Sequence, residues 1–191
     1  MLRSFALGYL KCYNGREFQQ AVAEFTEKYP DIALHIINGN HEELYDELRL
    51  GRVDLVLNDQ RRAFSDEYVN SILTTCECYI EIAGRSPIAG MESVDVRELK
   101  DIPCILVASK NQQENEQSYY HDIVGIGGKG FMPVEGSGQT MQFGTSLNHV
   151  PLLRNGKPIK RNYCAFWKAD NSGYYVEEFA DILKAKFETS D

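Results

Sequence analysis

Between residues 2 and 59 the hydropathy period alternates between that of a strand and that of a helix, and this limits the chain to few architectures. Residues 5–10 form a short apolar run that breaks at Lys11-Cys12-Tyr13-Asn14-Gly15. From Arg16 the period lengthens, with Phe18, Val22, Phe25 and Tyr29 at helical spacing. Pro30 ends that helix. Residues 32–37 are β-branched and predict a second strand. Asn40-His41-Glu42-Glu43 matches a capping box, and Leu44 and Leu48 form the buried stripe of the helix it starts. Gly51 suits the position just past that helix, and residues 53–57 give a third strand ending in Asn58 and Asp59. Strands alternating with helices imply a parallel sheet with right-handed crossovers. Open sheets of this kind take ligands at the carboxyl ends of their strands.

Residues 70–82 interrupt the alternation. Ile72, Thr74, Cys76, Cys78, Ile80 and Ile82 share one face and Glu77 and Glu81 the other, which predicts one long strand running from one lobe into another. Asp95-Val96-Arg97-Glu98 is a second capping box. Residues 103–108 predict a strand, 111–123 a polar helix, 131–134 a short strand and 162–167 another. Asn155-Gly156 reads as a turn, and Ser172 as the cap of a last helix carrying Tyr175, Phe179, Ile182, Leu183 and Phe187.

A formal net charge of −8 argues against a nucleic-acid-contacting surface, because phosphate neutralisation supplies most of that affinity. No secretory leader and no run of membrane-spanning length is visible, so the expected location is the cytoplasm, without membrane contact. Five scattered cysteines do not form a disulfide framework.

Several motifs reduce to bland readings. Gly125-Ile126-Gly127-Gly128-Lys129-Gly130 matches a dinucleotide fingerprint in letters only, since a strand does not precede it nor a helix follow. Cys76 and Cys78 share a strand face about 6.5 Å apart, which suits core packing better than a disulfide. Cys12, near a helix start, is open to a redox role. His35, His41, His121 and His149 show no metal-ligand spacing and read as solvated or structural. No catalytic group, metal or cofactor is implied. The candidate ligand-binding residues are therefore strand-end and helix-start groups: Lys11, Cys12, Tyr13 and Asn14; Asn58 and Asp59; Ser109 and Lys110; and, with less support, Met132 and Pro133 on a wall. Helix N-termini and Lys110 favour an anionic group on the ligand.

The order of these elements resembles the effector-binding domain of LysR-type transcriptional regulators. The matching pieces are Leu7-Gly8-Tyr9, the Phe25…Tyr29-Pro30-Asp31-Ile32 helix end, and Leu48-Arg49-Leu50-Gly51-Arg52-Val53-Asp54-Leu55-Val56-Leu57. They continue through Val94-Asp95-Val96-Arg97-Glu98-Leu99, Gly130-Phe131-Met132-Pro133 and Phe166-Trp167-Lys168. The resemblance implies an α/β, two-lobe fold like the type 2 periplasmic binding proteins, each lobe a mixed sheet flanked by helices. Lobe I would comprise 1–75 plus 141–191 and lobe II 76–140, joined by crossing hinge segments near 75–80 and 137–143. It also implies a small-molecule effector bound between the lobes, and a homodimer or tetramer that touches DNA only through an N-terminal winged helix-turn-helix. That region is not in the sequence. A self-contact is expected to pair residues 16–29 and 32–37 with the second lobe of another copy.

A second departure lies at 123–130, too short for the strand and helix the family places there. Either lobe II is shortened, or a segment is missing at that point. Two other functions compete with the sensing role. A free-standing solute-binding protein would need a leader or lipid anchor. An enzyme on the same scaffold would need an acid–base pair or nucleophile.

Overall fold

The computed structural model describes residues 3–11, 13, 15–61, 65–107, 113–125, 131–134, 147–171 and 173–189. The chain separates into two compact units, Met1–Thr75 with Asn162–Asp191, and Cys76–Arg161.

In the first unit, β1 (Arg3–Leu10), α1 (Arg16–Lys28), β2 (Ile32–Gly39), α2 (His41–Arg49) and β3 (Leu55–Asp59) follow the alternation read from the sequence. β4 (Tyr68–Glu77) and β11 (Lys160–Lys168) complete a sheet of order β2-β1-β3-β11-β4. β1 runs parallel to β2 and β3, and β11 runs antiparallel to β3. Both faces are covered. Phe5, Leu7, Leu55, Leu57, Ala165 and Trp167 pack with Phe18, Ala21 and Phe25 of α1 and with Val176, Phe179 and Leu183 of α4 (Tyr174–Glu188). Leu10, Val56, Cys164 and Phe166 pack with Leu44 and Leu48 of α2. All five residues of β3 are buried, as a strand covered on two sides requires.

The capping box of α2 is complete. Asn40 Oδ1 accepts from the Glu43 N–H at 3.0 Å, and the Asn40 N–H donates to Glu43 Oε2 at 2.9 Å. Gly51 takes the left-handed conformation at φ 68° that lets the chain leave the helix. α4 begins after Gly173 rather than after a side-chain cap; Ser172 lies outside the described residues.

The second unit holds β5 (Tyr79–Ala83), β6 (Val94–Asp95), a 3₁₀ turn at Val96–Leu99, and β7 (Cys104–Val107). Next come α3 (Gln113–Ser118), which widens into a π-helical stretch at Tyr119–Val124, then β8 (Phe131–Val134), β9 (Leu147–Arg154) and β10 (Lys157–Pro158). β9 lies between β10 and β5 and also pairs β6, over a core of Ile82, Val94, Val96, Leu99, Val124, Val150 and Leu152. The second capping box forms, with the Asp95 N–H donating to Glu98 Oε2 at 2.7 Å, but it starts a 3₁₀ turn. Asn155 and Gly156, at φ 53° and 74°, make the expected turn between β9 and β10. β7 pairs directly with β8 in parallel, α3 lying between them in the chain; residues 126–130, with most of the glycine motif, lie outside the described residues.

Two expectations need correction. The long strand over 70–82 is two strands that part at Cys78. In β4 the buried residue is odd-numbered, Leu73, while Ile72 and Cys76 are exposed. In β5 the inward residues are even-numbered, Ile80 and Ile82. The two strands serve different cores, so the facing parity reverses where they part, and Cys76 is not a core residue. The return to the first unit also comes later than residue 141. Residues of β9 pair with β5 and β6, so they belong to the second unit, and the division falls between Arg161 and Asn162. Residues 135–146, including the expected second crossing, lie outside the described residues. Within the first unit, Asn162 accepts from Thr75 Oγ1 at 2.9 Å and donates to Gln60 Oε1 at 3.0 Å, which ties the ends of its two chain segments.

Close approach of α2 to the sheet depends on Gly8. A Cβ there would lie 2.9 Å from Leu44 Cδ2 and 3.0 Å from Val56 Cγ1. Gly8→Val is therefore expected to cost about 1–3 kcal/mol of stability, read as a lowered urea midpoint with an unchanged slope.

Candidate functional site: the carboxyl edge of the first sheet

β1, β2 and β3 all end at the edge where α1 and α2 begin, so two helix N-termini converge there. The chain turns tightly after β1: the Lys11 N–H donates to the Gly39 carbonyl at 2.9 Å and the Tyr13 N–H to the Leu10 carbonyl at 3.1 Å. Lys11 Nζ pairs with Glu43 Oε2 at 3.2 Å. The Tyr13 hydroxyl donates to the Glu17 carboxylate, and its ring stacks on Phe187 at 6.0 Å. Burial, then Glu17, pushes the Tyr13 phenol well above its usual range; the Glu17 and Phe18 N–H groups at the start of α1 act in the opposite direction.

Asn58 and Asp59 sit at the expected edge, but their side chains turn inward, 0% and 2% exposed. Both engage His41, the first residue of α2 and 1% exposed. His41 Nδ1 lies 3.0 Å from Asn58 Oδ1 and 2.9 Å from Asp59 Oδ1. Two oxygen acceptors at one ring nitrogen require the proton on Nδ1. Asn58 Nδ2 donates to the His41 carbonyl at 3.1 Å, and Arg61 Nε donates to Asp59 Oδ2 at 3.1 Å. The pair thus fixes α2 and Arg61 against the sheet rather than offering polar atoms to solvent. Beside them, burial pushes the Cys164 thiol up to about 12, with Asp59 adding to the shift.

Lys11, Tyr13, Asn58 and Asp59 are thus brought to one edge. Cys12, Asn14, Ser109 and Lys110 lie outside the described residues. Met132 and Pro133 are in β8 of the second unit, opposite Ile105 and Leu106, and their side chains lie outside the described residues. Sequence reasoning missed His41 and Arg61. The available signal was position: the residue after an N-cap meets the end of the next strand in a tight β-α-β turn. Among the described residues no group of His, Cys, Asp and Glu is arranged to hold a metal ion.

Residues 6–120 match the family described as the LysR substrate binding domain. The chain belongs to this family. A relative, the HTH-type transcriptional regulator CysB of Haemophilus influenzae, is 26% identical over 105 residues, covering 55% of this chain and 32% of that protein. The match thus spans about a third of the length of this curated relative. The effector binding domain of a BenM variant superposes with a TM-score of 0.74 at 12% identity, covering 98% of this chain and 95% of the other. The same domain with its effector benzoate gives 0.70 at 12%, covering 98% and 93%. The reduced OxyR regulatory domain of Pseudomonas aeruginosa gives 0.62 at 15%, covering 96% and 98%. These likenesses establish the fold, that of type 2 periplasmic binding proteins. The chain is a LysR effector-binding domain, and the family is one of transcriptional regulators.

His41→Leu leaves the buried Asn58 and Asp59 oxygens without their shared donor, and is expected to cost about 1–3 kcal/mol in urea denaturation. Lys11→Ala, which breaks a partly exposed pair, should cost under about 1 kcal/mol. Cys164 sets a pH dependence. A thiol raised from 9.0 to about 12 keeps its proton in the folded chain where the unfolded chain has lost it. Stability must therefore fall as pH rises through that window. Cys164→Ala should flatten that fall between about pH 9 and pH 10 by about 1 kcal/mol, measured by denaturation across the window.

Proposed function

We propose that this chain is the sensor of a LysR-type transcriptional regulator and that it binds a small anionic effector at the carboxyl edge of the first unit. The observation that carries this reading is that the α1 and α2 N-termini open on one edge, beside the ion pairs Lys11–Glu43 and Arg61–Asp59. Asp59, held by His41, orients Arg61, while Lys11 and Tyr13 flank the start of α1. The other contacts we propose are Cys12, Asn14, Ser109, Lys110, Met132 and Pro133.

Kinship with a helix-turn-helix regulator favours sensing over solute delivery or catalysis. In the whole protein an N-terminal winged helix-turn-helix touches DNA, and the regulator works in the cytoplasm. The domain self-associates as a dimer or tetramer. α1 and β2 carry the self-contact: β2 is an edge strand with Ile36 and Ile37 exposed, a surface suited to another copy. Effector occupancy changes that arrangement and so the presentation to DNA.

Calorimetric titration with benzoate, sulfate and a series of carboxylate metabolites tests the ligand class. At least one anion should bind saturably, and Lys11→Ala should weaken it roughly tenfold, as for loss of one charge-assisted contact. A complete series without binding overturns the anionic reading. Sedimentation showing monomer alone at high concentration removes the proposed self-contact.

A further inference from the structure

At the end of α1 away from the candidate site, two phenols meet. Tyr29 closes α1 and Tyr174 opens α4, so residues 145 positions apart in the chain come together in the first unit. The aromatic core beneath brings them there. Phe25 packs on Tyr29 at 4.8 Å and on Tyr175 at 6.4 Å, and Tyr175 meets Tyr29 edge to face at 5.2 Å. The ion pair of Lys28 with Glu178 holds the same two helix ends from the side. The Tyr29 and Tyr174 rings stand perpendicular with their centres 6.2 Å apart, and the Tyr29 hydroxyl donates to that of Tyr174 at 3.0 Å. The contact is open to solvent, Tyr174 being 64% exposed. Tyr175 shares the cluster, but it is half-buried against the core.

A hydrogen bond between two exposed hydroxyls adds little to stability, because water offers the same bonds. Its chemical consequence is larger. A phenol gives up one electron and its hydroxyl proton to a one-electron oxidant. The resulting radical shares its unpaired electron with the ring carbons ortho to the oxygen, and two such radicals couple at those carbons. In the product both hydroxyls flank the new carbon–carbon bond and bond to each other, which is the contact that Tyr29 and Tyr174 already make. That preformed contact makes coupling within the pair an intramolecular step, favoured over encounter between separate chains. Tyr174 lies exposed in the first turn of α4, so rotation of its side chain can close the remaining distance.

We propose that Tyr29 and Tyr174 form an oxidative cross-linking site, at which a haem-peroxidase-type one-electron oxidant, fed by hydrogen peroxide, joins α1 to α4 covalently. Each phenol loses one electron and one proton, and the bond forms between the two ortho carbons. The hydrogens displaced from those carbons move as protons to the oxygens and restore both phenols. The two electrons and two protons removed reduce one hydrogen peroxide to two waters. The link ties two helix ends that are far apart in sequence, and so restricts the unfolded chain. Neither residue belongs to the anionic contacts, so the outcome is independent of the ligand reading.

Treatment of the 191-residue chain at micromolar concentration with a haem peroxidase and hydrogen peroxide tests this. The expected product is a monomer that has lost two hydrogens and shows dityrosine fluorescence. After trypsin it should yield one pair of joined peptides carrying Tyr29 and Tyr174. Tyr29→Phe and Tyr174→Phe should each lower the yield of intrachain dityrosine at least about tenfold, the advantage of a preformed contact. Phenylalanine keeps the ring, so both variants should keep the fold, checked by circular dichroism and urea midpoint. Tyr175→Phe should leave the yield unchanged. The linked monomer should unfold at a higher urea concentration than the untreated chain. The proposal is overturned by absent intrachain dityrosine, by coupling that maps to Tyr174 with Tyr175 or to other rings such as the exposed Tyr79, by a yield indifferent to either Phe variant, or by an equal loss in Tyr175→Phe. An unchanged urea midpoint of the linked monomer also overturns it.

Discussion

A sheet covered on both faces leaves no place along its strands for unsatisfied polar groups. In the first unit α1 and α4 cover one side and α2 the other, and β3 is buried throughout. Polar side chains on that strand can survive only at its end and only with partners. Asn58 and Asp59 meet this condition through His41 and Arg61. The same constraint places Gly8 under α2, because the helix approaches the sheet too closely for a Cβ. The polar character of the carboxyl edge thus follows from the apolar character of everything behind it.

Local signals made the first unit legible. The stripe of Phe18 and Phe25, the capping box at Asn40 and Glu43, and the C-terminal Gly51 agree in type and position, and each appears in the structure. The parity change at Cys78 was not legible, because a run of alternating residues does not state which core each half will meet. The sequence reading assigns no element to 147–154, where β9 forms. Pro151 sits within it, opposite Tyr79, and a proline normally argues against an interior strand. Its neighbours are nevertheless fixed by long-range pairing with β5, β6 and β10, which no local window contains.

For the candidate site the topological rule located the edge correctly but not the orientation of its side chains. Strand-end position foretold where Asn58 and Asp59 would lie. Their burial depended on a partner 17 and 18 residues earlier in the chain. A lone histidine at a helix start is usually solvated, so His41 carried no distinguishing mark until the helix was seated on the strand. Family membership fixes the kind of domain and leaves the chemistry of its ligand unstated.

The order β2-β1-β3-β11-β4 has a consequence for synthesis on the ribosome. β3 and β4 are near neighbours in sequence, yet β11 lies between them and is made some ninety residues later. Until it emerges, the Leu55, Val56 and Leu57 segment has an open edge in the middle of the growing sheet. The second unit, being continuous in sequence, can close in the interval. The nascent chain therefore passes through a stage in which β3, buried throughout in the finished sheet, lacks one of its two neighbours, a stage exposed to aggregation and to chaperone capture.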